Sequence, residues 1–551
     1  MAADEGAGEA CGTAISYEGA VDLLLSNKFA EAEETFSKDI DASTRHALLF
    51  AQVSFARAVL SLAPKDAEEA MERCWEANRR ATAVLKGGMS LMESWMGGGG
   101  AEISAAEKID QTLVSADAHM MGAMMQLVLG SYVKGAWNIK TAWSLYAAAF
   151  QTREREPDTV PDALKCIIDF GVGMFNLVVS LLPATYLTLA QLVGFSGDRN
   201  EAFRLLNRSC QSGQYWSPFA CLLLLYFYTQ LAPNLGICKE EHAATVEGLL
   251  CLDVATKRPD ACLFLWMRGG AARLTGKHAD AADLLVRAED VSRDMPALQA
   301  MILNDIVWVH FSSLNFRGAA DTLTSILKSS KPVPYHAVYA YEAGIALLCE
   351  SEEEEQAARD ILSSVGDWLE GEESEVSQLG AEKYALAMSR YLLSMEKIDR
   401  KEGLSAYLEL LVLWDDHRRM TREHAGEAWK LFEASSLLPD DKDAPVSARR
   451  GLIGGALKLA QGETAEGRKM LEGVLMLSDE ELLGSMPGGG DGRVYRAYAK
   501  YVLGTLLKES DGSADARTVF EMAMAEKAHH LQTPLSFKLH AALSDKPTEQ
   551  Q

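Results

Sequence analysis

The nine cysteines of this chain include no CxxC pair, which removes a zinc ribbon and leaves no framework of the kind that staples small secreted domains. They read as small apolar core residues. Basic residues are scarce: Lys plus Arg number 53 against 78 for Asp plus Glu, a formal net charge of −25, and no run concentrates them. Such a chain repels nucleic acid and anionic lipid, so nucleic acid is excluded as a ligand class. No stretch alternates apolar and polar residues for long enough to read as a sheet. Prolines are few, and Pro161, Pro183, Pro218, Pro233 and Pro296 fall where helices should begin or end. The opening MAADEGAGEACG lacks the apolar centre of a secretory signal and the arginines of a transit peptide. The expected setting is reducing and intracellular.

What the sequence does have is apolar length. Residues 170–197 form 28 positions without a charge, and residues 209–238 another 30. Each needs either a bilayer or a thoroughly buried helical centre. Pro183 splits the first run, and Pro218 and Pro233 leave a short apolar piece in the second, which favours the buried centre. Between the runs, GFSGDRNEAFRLL reads as a turn followed by an amphipathic helix.

A spacing recurs along the whole chain. A small residue is followed seven positions later by a turn residue and five later by a second small residue: Ala20, Asn27, Ala32; Ala190, Gly197, Ala202; Gly269, Gly276, Ala281; Gly455, Gly462, Gly467; and Gly504, Asp511, Ala516. Val307, Leu314, Ala319 is a weaker copy. Four positions beyond each second small residue stands Phe36, Leu206, Leu285, Leu471, Phe520 or Leu323, one helical turn on along the same face. Two antiparallel helices joined by a tight turn approach closely only where both carry small side chains, and the large residue fills the space beside that contact. The expected fold is therefore all-α: tetratricopeptide-like helix-turn-helix repeats stacked into an α-α superhelix, or solenoid. Composition breaks suggest disordered ends at 1–12 and 546–551 around three helical segments, 13–150, 161–370 with the apolar core, and 380–545.

Motifs that carry chemistry fail on spacing. GVG at Gly171 ends in Asn176 where a dinucleotide loop needs glycine, and no strand precedes it. TGKH at Thr275 lacks the upstream glycine and following hydroxyl of a phosphate cradle. Ser196 in GFSG lies between helices, where no sheet edge would present it as a nucleophile. His119 among Met120, Met121, Met124 and Met125 fits core packing better than a soft-metal site. His529 and His530 are adjacent and point to different helix faces. The acids from Glu350 to Glu355 read as a solvated helix start. No catalytic, metal or cofactor-binding residue is assigned.

The central FNLVVSLLPATYLTLAQLVGFSGDRNEAFRLL, followed by CLLLLYFYTQL, resembles the tetratricopeptide repeat protein 39 family, which includes the fungal inclusion-body clearance proteins. HALLFAQVSFARAVLSL with DAEEAMERC, YVKGAWNIKTAWSLY and LSFKLHAAL extend the resemblance from Tyr17 to Leu543. Where the family has glycine this chain has Ala202, and the Gly-rich insert from Gly87 to Gly100 is its own. The resemblance implies a non-enzymatic interaction scaffold or adaptor, without cofactor, tied to lipid metabolism, protein turnover or aggregate clearance. Its partner would be another protein held in a helical groove. The alternative is a membrane- or lipid-droplet-associated protein that uses the uncharged runs, with any membrane contact peripheral. The expected location is cytoplasmic, extending to the nucleus or to the surface of the mitochondrial outer membrane or lipid droplets. The partner-binding residues and the oligomeric state are not legible in the sequence.

Overall fold

The computed structural model describes residues 17–38, 40–41, 43–61, 64–87, 103–181, 197–237, 240–293, 295–328, 335–369, 380–437, 443–483, 492–511, 514–527 and 529–544. Among the described residues the regular structure is helical throughout and no strand is present. Ala190, Pro183, Ser196 and both chain ends lie outside them. Contacts divide the chain into two compact units: Met1–Ser180 with Ser196–Leu224 and Leu252–Phe264, and Leu181–Phe195 with Leu225–Cys251 and Leu265–Gln551. The composition breaks near residues 150 and 370 fall inside these units, because a change of loop composition does not interrupt the stacking of neighbouring helices.

The first unit is built of hairpins. Helices α1 (Tyr17–Leu25) and α2 (Phe29–Lys38) form one, α3 (Thr44–Ser61) and α4 (Pro64–Gly87) the next, and α5 (Ala105–Val128) and α6 (Tyr132–Arg155) the third. Helices α7 (Asp162–Leu181), α8 (Arg199–Gln211) and most of α9 (Ser217–Tyr226) complete it. Buried ion pairs cross its layers. Arg45 on α3 pairs with Asp110 and lies 3.8 Å from Asp117 on α5. Asp117 in turn accepts the Tyr146 hydroxyl from α6. Asp169, buried in the middle of α7, takes Arg153 at 2.8 Å and Arg208 at 2.6 Å.

The second unit begins with a π-turn at Phe227–Leu231 and α10 (Glu240–Leu250), then takes in most of α11 (Cys262–Leu274). Pairs follow: α11 with α12 (His278–Val291), α13 (Pro296–Ser312) with α14 (Phe316–Leu327), and α15 (His336–Glu350) with α16 (Glu355–Ser364). Beyond α17 (Gly380–Leu393) come α18 (Arg400–Leu413) and α19 (Arg422–Ala434), α20 (Ala444–Gln461) and α21 (Thr464–Leu475), α22 (Arg493–Asp511) and α23 (Ala514–Ala525), and finally α24 (Gln532–Ser544). The first helices of successive pairs stack on one another, α15 on α18, α18 on α20 and α20 on α22. One continuous apolar core runs from Ala300 to Ala542.

The hairpin turns share one chemistry. Asn27, Leu314, Gly276 and Gly462 all have positive φ, 61°, 61°, 70° and 85°. At Gly276 the amide of Lys277 donates to Ala272 O at 3.0 Å and that of Gly276 to Arg273 O at 3.1 Å; the same pair of bonds closes the helices before Asn27, Leu314 and Gly462. This is a Schellman ending, which satisfies the last carbonyls of the first helix and reverses the chain. Gly130 closes α5 in the same way, with Ser131 N donating to Gln126 O at 2.7 Å and φ of 72°.

Candidate functional site

Within the apolar core of the second unit a set of buried polar residues converges on the segment WDDHRR, residues 414–419, between α18 and α19. Asp415 stands at φ 68° and starts a 3-10 turn that aims successive side chains in different directions. Asp416, fully buried, accepts from Arg273 on α11, from Ser312 on α13 and from Arg419 at 3.0 Å. Arg273 also reaches Asp305 at 3.2 Å, and Asp305 takes Trp266 Nε1 at 2.6 Å and Gln230 Nε2 at 3.0 Å. Asp415 accepts the Tyr501 hydroxyl at 2.7 Å and Lys538 Nζ, from α24, at 3.3 Å. A second cluster lies on the stacked helices: Glu409 on α18 accepts Arg449 Nε at 2.6 Å, Tyr384 OH at 2.9 Å and Tyr495 OH at 3.0 Å.

Each buried carboxylate has its own cation, so the clusters are close to neutral. Burial alone would raise the pKa of Asp416, but Arg273 and Arg419 outweigh it and hold the group below the usual carboxylate range. Asp415 is likewise held low: burial raises it, and Lys538, Arg418 and His417 together pull it further down. Burial pushes His417 down to about 4 against the attraction of Asp415, so the ring is neutral at pH 7. Its Nδ1 lies 3.9 Å from Asp415 Oδ1, beyond a hydrogen bond. Buried ion pairs arranged this way specify how helices meet, and removing one partner is costly.

A cleft of about 370 Å³ opens beside this segment. Asp415, His417 and Arg418 form one wall, the α20–α21 turn with Thr464 another, and Tyr501, Thr505 and Glu509 of α22 the third. Arg418 pairs with Glu509 at its edge, where Glu509 is half exposed. The segment 225–237 also lies against the inner helices: Asn234 Oδ1 accepts from Arg419 at 3.0 Å, and a Cβ added to Gly236 would sit 1.9 Å from Tyr501 OH. Gly236, with φ of 70°, is the residue type this close approach requires.

The small residues of the repeat are placed as follows. A Cβ on Gly269 would lie 2.6 Å from Leu285 Cγ, one on Gly455 2.7 Å from Leu471 Cγ, and one on Gly504 2.7 Å from Phe520 Cε1. A Cβ on Gly467 would meet the carbonyl oxygen of Gly455 at 2.8 Å. Ala32, Ala281 and Ala516 are buried, as are Phe36, Leu285 and Phe520. Ala20 is on α1, and Gly276 and Gly462 are the turn glycines described above. Ala202 and Leu206 face Gly173 on α7, whose added Cβ would lie 2.9 Å from Leu206 Cγ; a Cβ added to Gly197 would instead meet the α7 backbone, 2.4 Å from Ser180 N. His119 Nδ1 donates to Asn138 Oδ1 at 2.9 Å, and its ring meets Trp75 edge-on at 5.4 Å. Among the described residues no group of His, Cys, Asp and Glu could hold a metal ion.

Two further hairpins carry the spacing or a variant of it. Ala123, Gly130 and Gly135 repeat it at α5–α6, with the added Cβ of Gly135 3.2 Å from Ala123 O. Gly344 of α15 faces Leu362 of α16, whose Cγ lies 2.6 Å from where a Cβ on Gly344 would be, across a turn lengthened by the 3-10 segment Glu352–Glu354. Residues 415–419 show in the sequence as a short charged run between helices, and buried carboxylates such as Asp305 in MILNDIVWV and Glu409 in AYLELLVLW only as single charges inside apolar helices.

Stacked hairpins with small residues at the contacts and Schellman turns between them define a helical-repeat protein of the tetratricopeptide type. The profile of the Iml2/Tetratricopeptide repeat protein 39 family matches residues 18–445, and the chain belongs to that family. It is similar to Tetratricopeptide repeat protein ttc-39B of Caenorhabditis elegans, 21% identical over 95% of this chain and 90% of the relative. Among solved structures it is similar to a chain of the APC/C hetero-tetramer Cut9-Hcn1, at 12% identity over 96% of this chain and 97% of that one, with a TM-score of 0.22.

Proposed function

We propose that the protein is a non-enzymatic adaptor that holds a segment of another protein in the cleft between residues 415–418, the α20–α21 turn and α22. The observation that carries the reading is the cleft itself, an opening at the inner helices where the neighbouring polar side chains are otherwise committed to one another. Stacked helix pairs commonly bind peptides on such a face. The acidic chain favours a ligand segment carrying Lys or Arg, which would compete for Glu509 at the rim. Family resemblance ties the role to lipid metabolism, protein turnover or aggregate clearance in the cytoplasm, and proximity labelling in cells discriminates between those settings.

The test is capture of partners by the purified full chain over a salt series, repeated with Glu509→Lys and Thr464→Arg, which alter the cleft rim and leave the buried ion pairs intact. Retention should weaken with salt and fall about tenfold or more with either substitution. If no protein is retained, or if both variants retain it equally, the cleft is not the binding face.

A further inference from the structure

Among the described residues of the first unit, five of the large exposed apolar side chains gather at one end of the α5–α6 hairpin. Met124 and Val128 are one turn apart near the end of α5; Gly130 reverses the chain; Tyr132, Val133 and Trp137 open α6. Tyr132 is 63% exposed, Trp137 69% and Val133 86%. Exposed residues this large, contiguous on one hairpin end, mark a contact surface. Along the hairpin itself the charge runs against that of the chain. From residue 118 to residue 153 there is no Asp or Glu, while Lys134 and Lys140 are exposed beside the apolar side chains. Arg153, the remaining base of that stretch, is buried on Asp169. Val133, Trp137 and Lys140 share one face of α6, with the Lys140 ammonium 6.0 Å from the Trp137 ring.

The geometry points to this hairpin end as a docking site for an anionic membrane surface. Tyr and Trp have an apolar body with a polar tip and suit the boundary between headgroups and acyl chains, and lysines behind them reach acidic headgroups with their stems along the apolar face. The patch is the turn end of a helix pair, with its apolar side chains exposed, so it offers side chains for insertion. Lys134 and Lys140 oppose the net −25, while Asp66, Glu68 and Glu72 of α4 lie at the same end, where Ala67 and Ala70 pack on Met125, so the attraction to acidic lipid rests on these two lysines and attachment is peripheral and sensitive to salt. This reading involves residues remote in sequence from the proposed protein-binding cleft, so the two stand or fall separately.

Flotation of the full chain with phosphatidylcholine vesicles, with and without phosphatidylserine, tests it. The protein should float with phosphatidylserine vesicles at low salt and stay below without that lipid. The pairs Val133→Asp with Trp137→Ser, and Lys134→Glu with Lys140→Glu, replace exposed side chains and should each reduce the bound fraction at least tenfold with unchanged circular dichroism melting. Absence of flotation at any phosphatidylserine content, or equal flotation of the variants, overturns the proposal. Loss of an acidic protein partner in the variants, with vesicles bound by neither form, also overturns it and assigns the patch to that protein.

Discussion

At the scale of single residues, the close helix contacts rest on missing side chains. Gly269→Val would gain about 1 kcal/mol of helix propensity over glycine at most, but its branches would enter the space held by Leu285, whose Cγ is 2.6 Å from the Cβ position. Overpacking of this kind costs about 1–3 kcal/mol, so the variant should melt lower than the parent. Ala281→Arg, which also buries a charge, should cost at least a few kcal/mol, and unchanged thermal unfolding of both would show the register to be coincidental. Glu342 offers a different lever. It is buried on α15, its Oε2 has no hydrogen-bond partner among the described residues, and burial raises its pKa from 4.5 to about 8. The folded chain therefore holds a proton there that the unfolded chain releases above about 4.5, so this group's contribution to stability falls as pH rises from that value toward 8. Denaturant titrations at pH 5 and pH 8.5 should show a loss for the parent that Glu342→Gln reduces by several kcal/mol. Equal losses would mean that the carboxyl is hydrated or paired. Neither Glu342 nor Asp416 was legible as a site in the sequence: Glu342 is one charge in an apolar helix, and the charged run around Asp416 reads as a solvated turn until its partner Arg273, more than 100 residues away, is known.

Helix pairs were far more legible, for a reason that lies in the turn. The small residue, the left-handed turn residue and the second small residue are all local, so their offsets are fixed by the geometry of one hairpin. Where the turn differs, the offsets fail. The α15–α16 pair keeps its contact, Gly344 against Leu362, but the 3-10 turn shifts it by two positions relative to the fixed spacing. At α7–α8 the small residue opposite Leu206 is Gly173, 33 positions before it, a separation no single hairpin spacing contains. Contacts made by the last helix are equally non-local: Lys538 of α24 donates to Asp415, while Leu535 and Leu539 are buried in the main core. Removing residues 529–551 should therefore strip three or four buried apolar side chains, at about 1.5–3 kcal/mol each, and leave Asp415 without its lysine. The truncated chain should unfold at a markedly lower temperature by scanning calorimetry. A melting point equal to that of the full chain would make α24 a passive appendage.

For the molecule as a whole, the question is how 58 uncharged positions, 28 and 30, are kept from water. Among the described residues one helix, Asp162–Leu181, is long and apolar enough to cross a bilayer, and 61% of its most apolar window is buried. Its middle carries Asp169, and the two arginines that satisfy that carboxylate come from α6 and α8. Pulling the helix into lipid would separate Asp169 from both or drag two further charges with it, and a charge at the bilayer centre costs about 2.5–3.5 kcal/mol or more. The second run is not one helix: α9 gives way to the π-turn at Phe227, where Thr229 and Gln230 turn their polar groups onto Met267 and Asp305 within the second unit. Leu225 and Phe227 are buried there. The described parts of both runs, residues 170–181 and 209–237, thus already have partners that a bilayer would have to replace. Expressed protein found with membranes should be released by washing in carbonate at high pH, which strips surface-bound chains and leaves spanning ones. Release accords with attachment through the α5–α6 end or through a partner. Retention in the pellet, reproduced when Asp169→Asn removes the buried charge, would mean that the apolar centre opens onto lipid and that the packing of α7 seen here is one of two states.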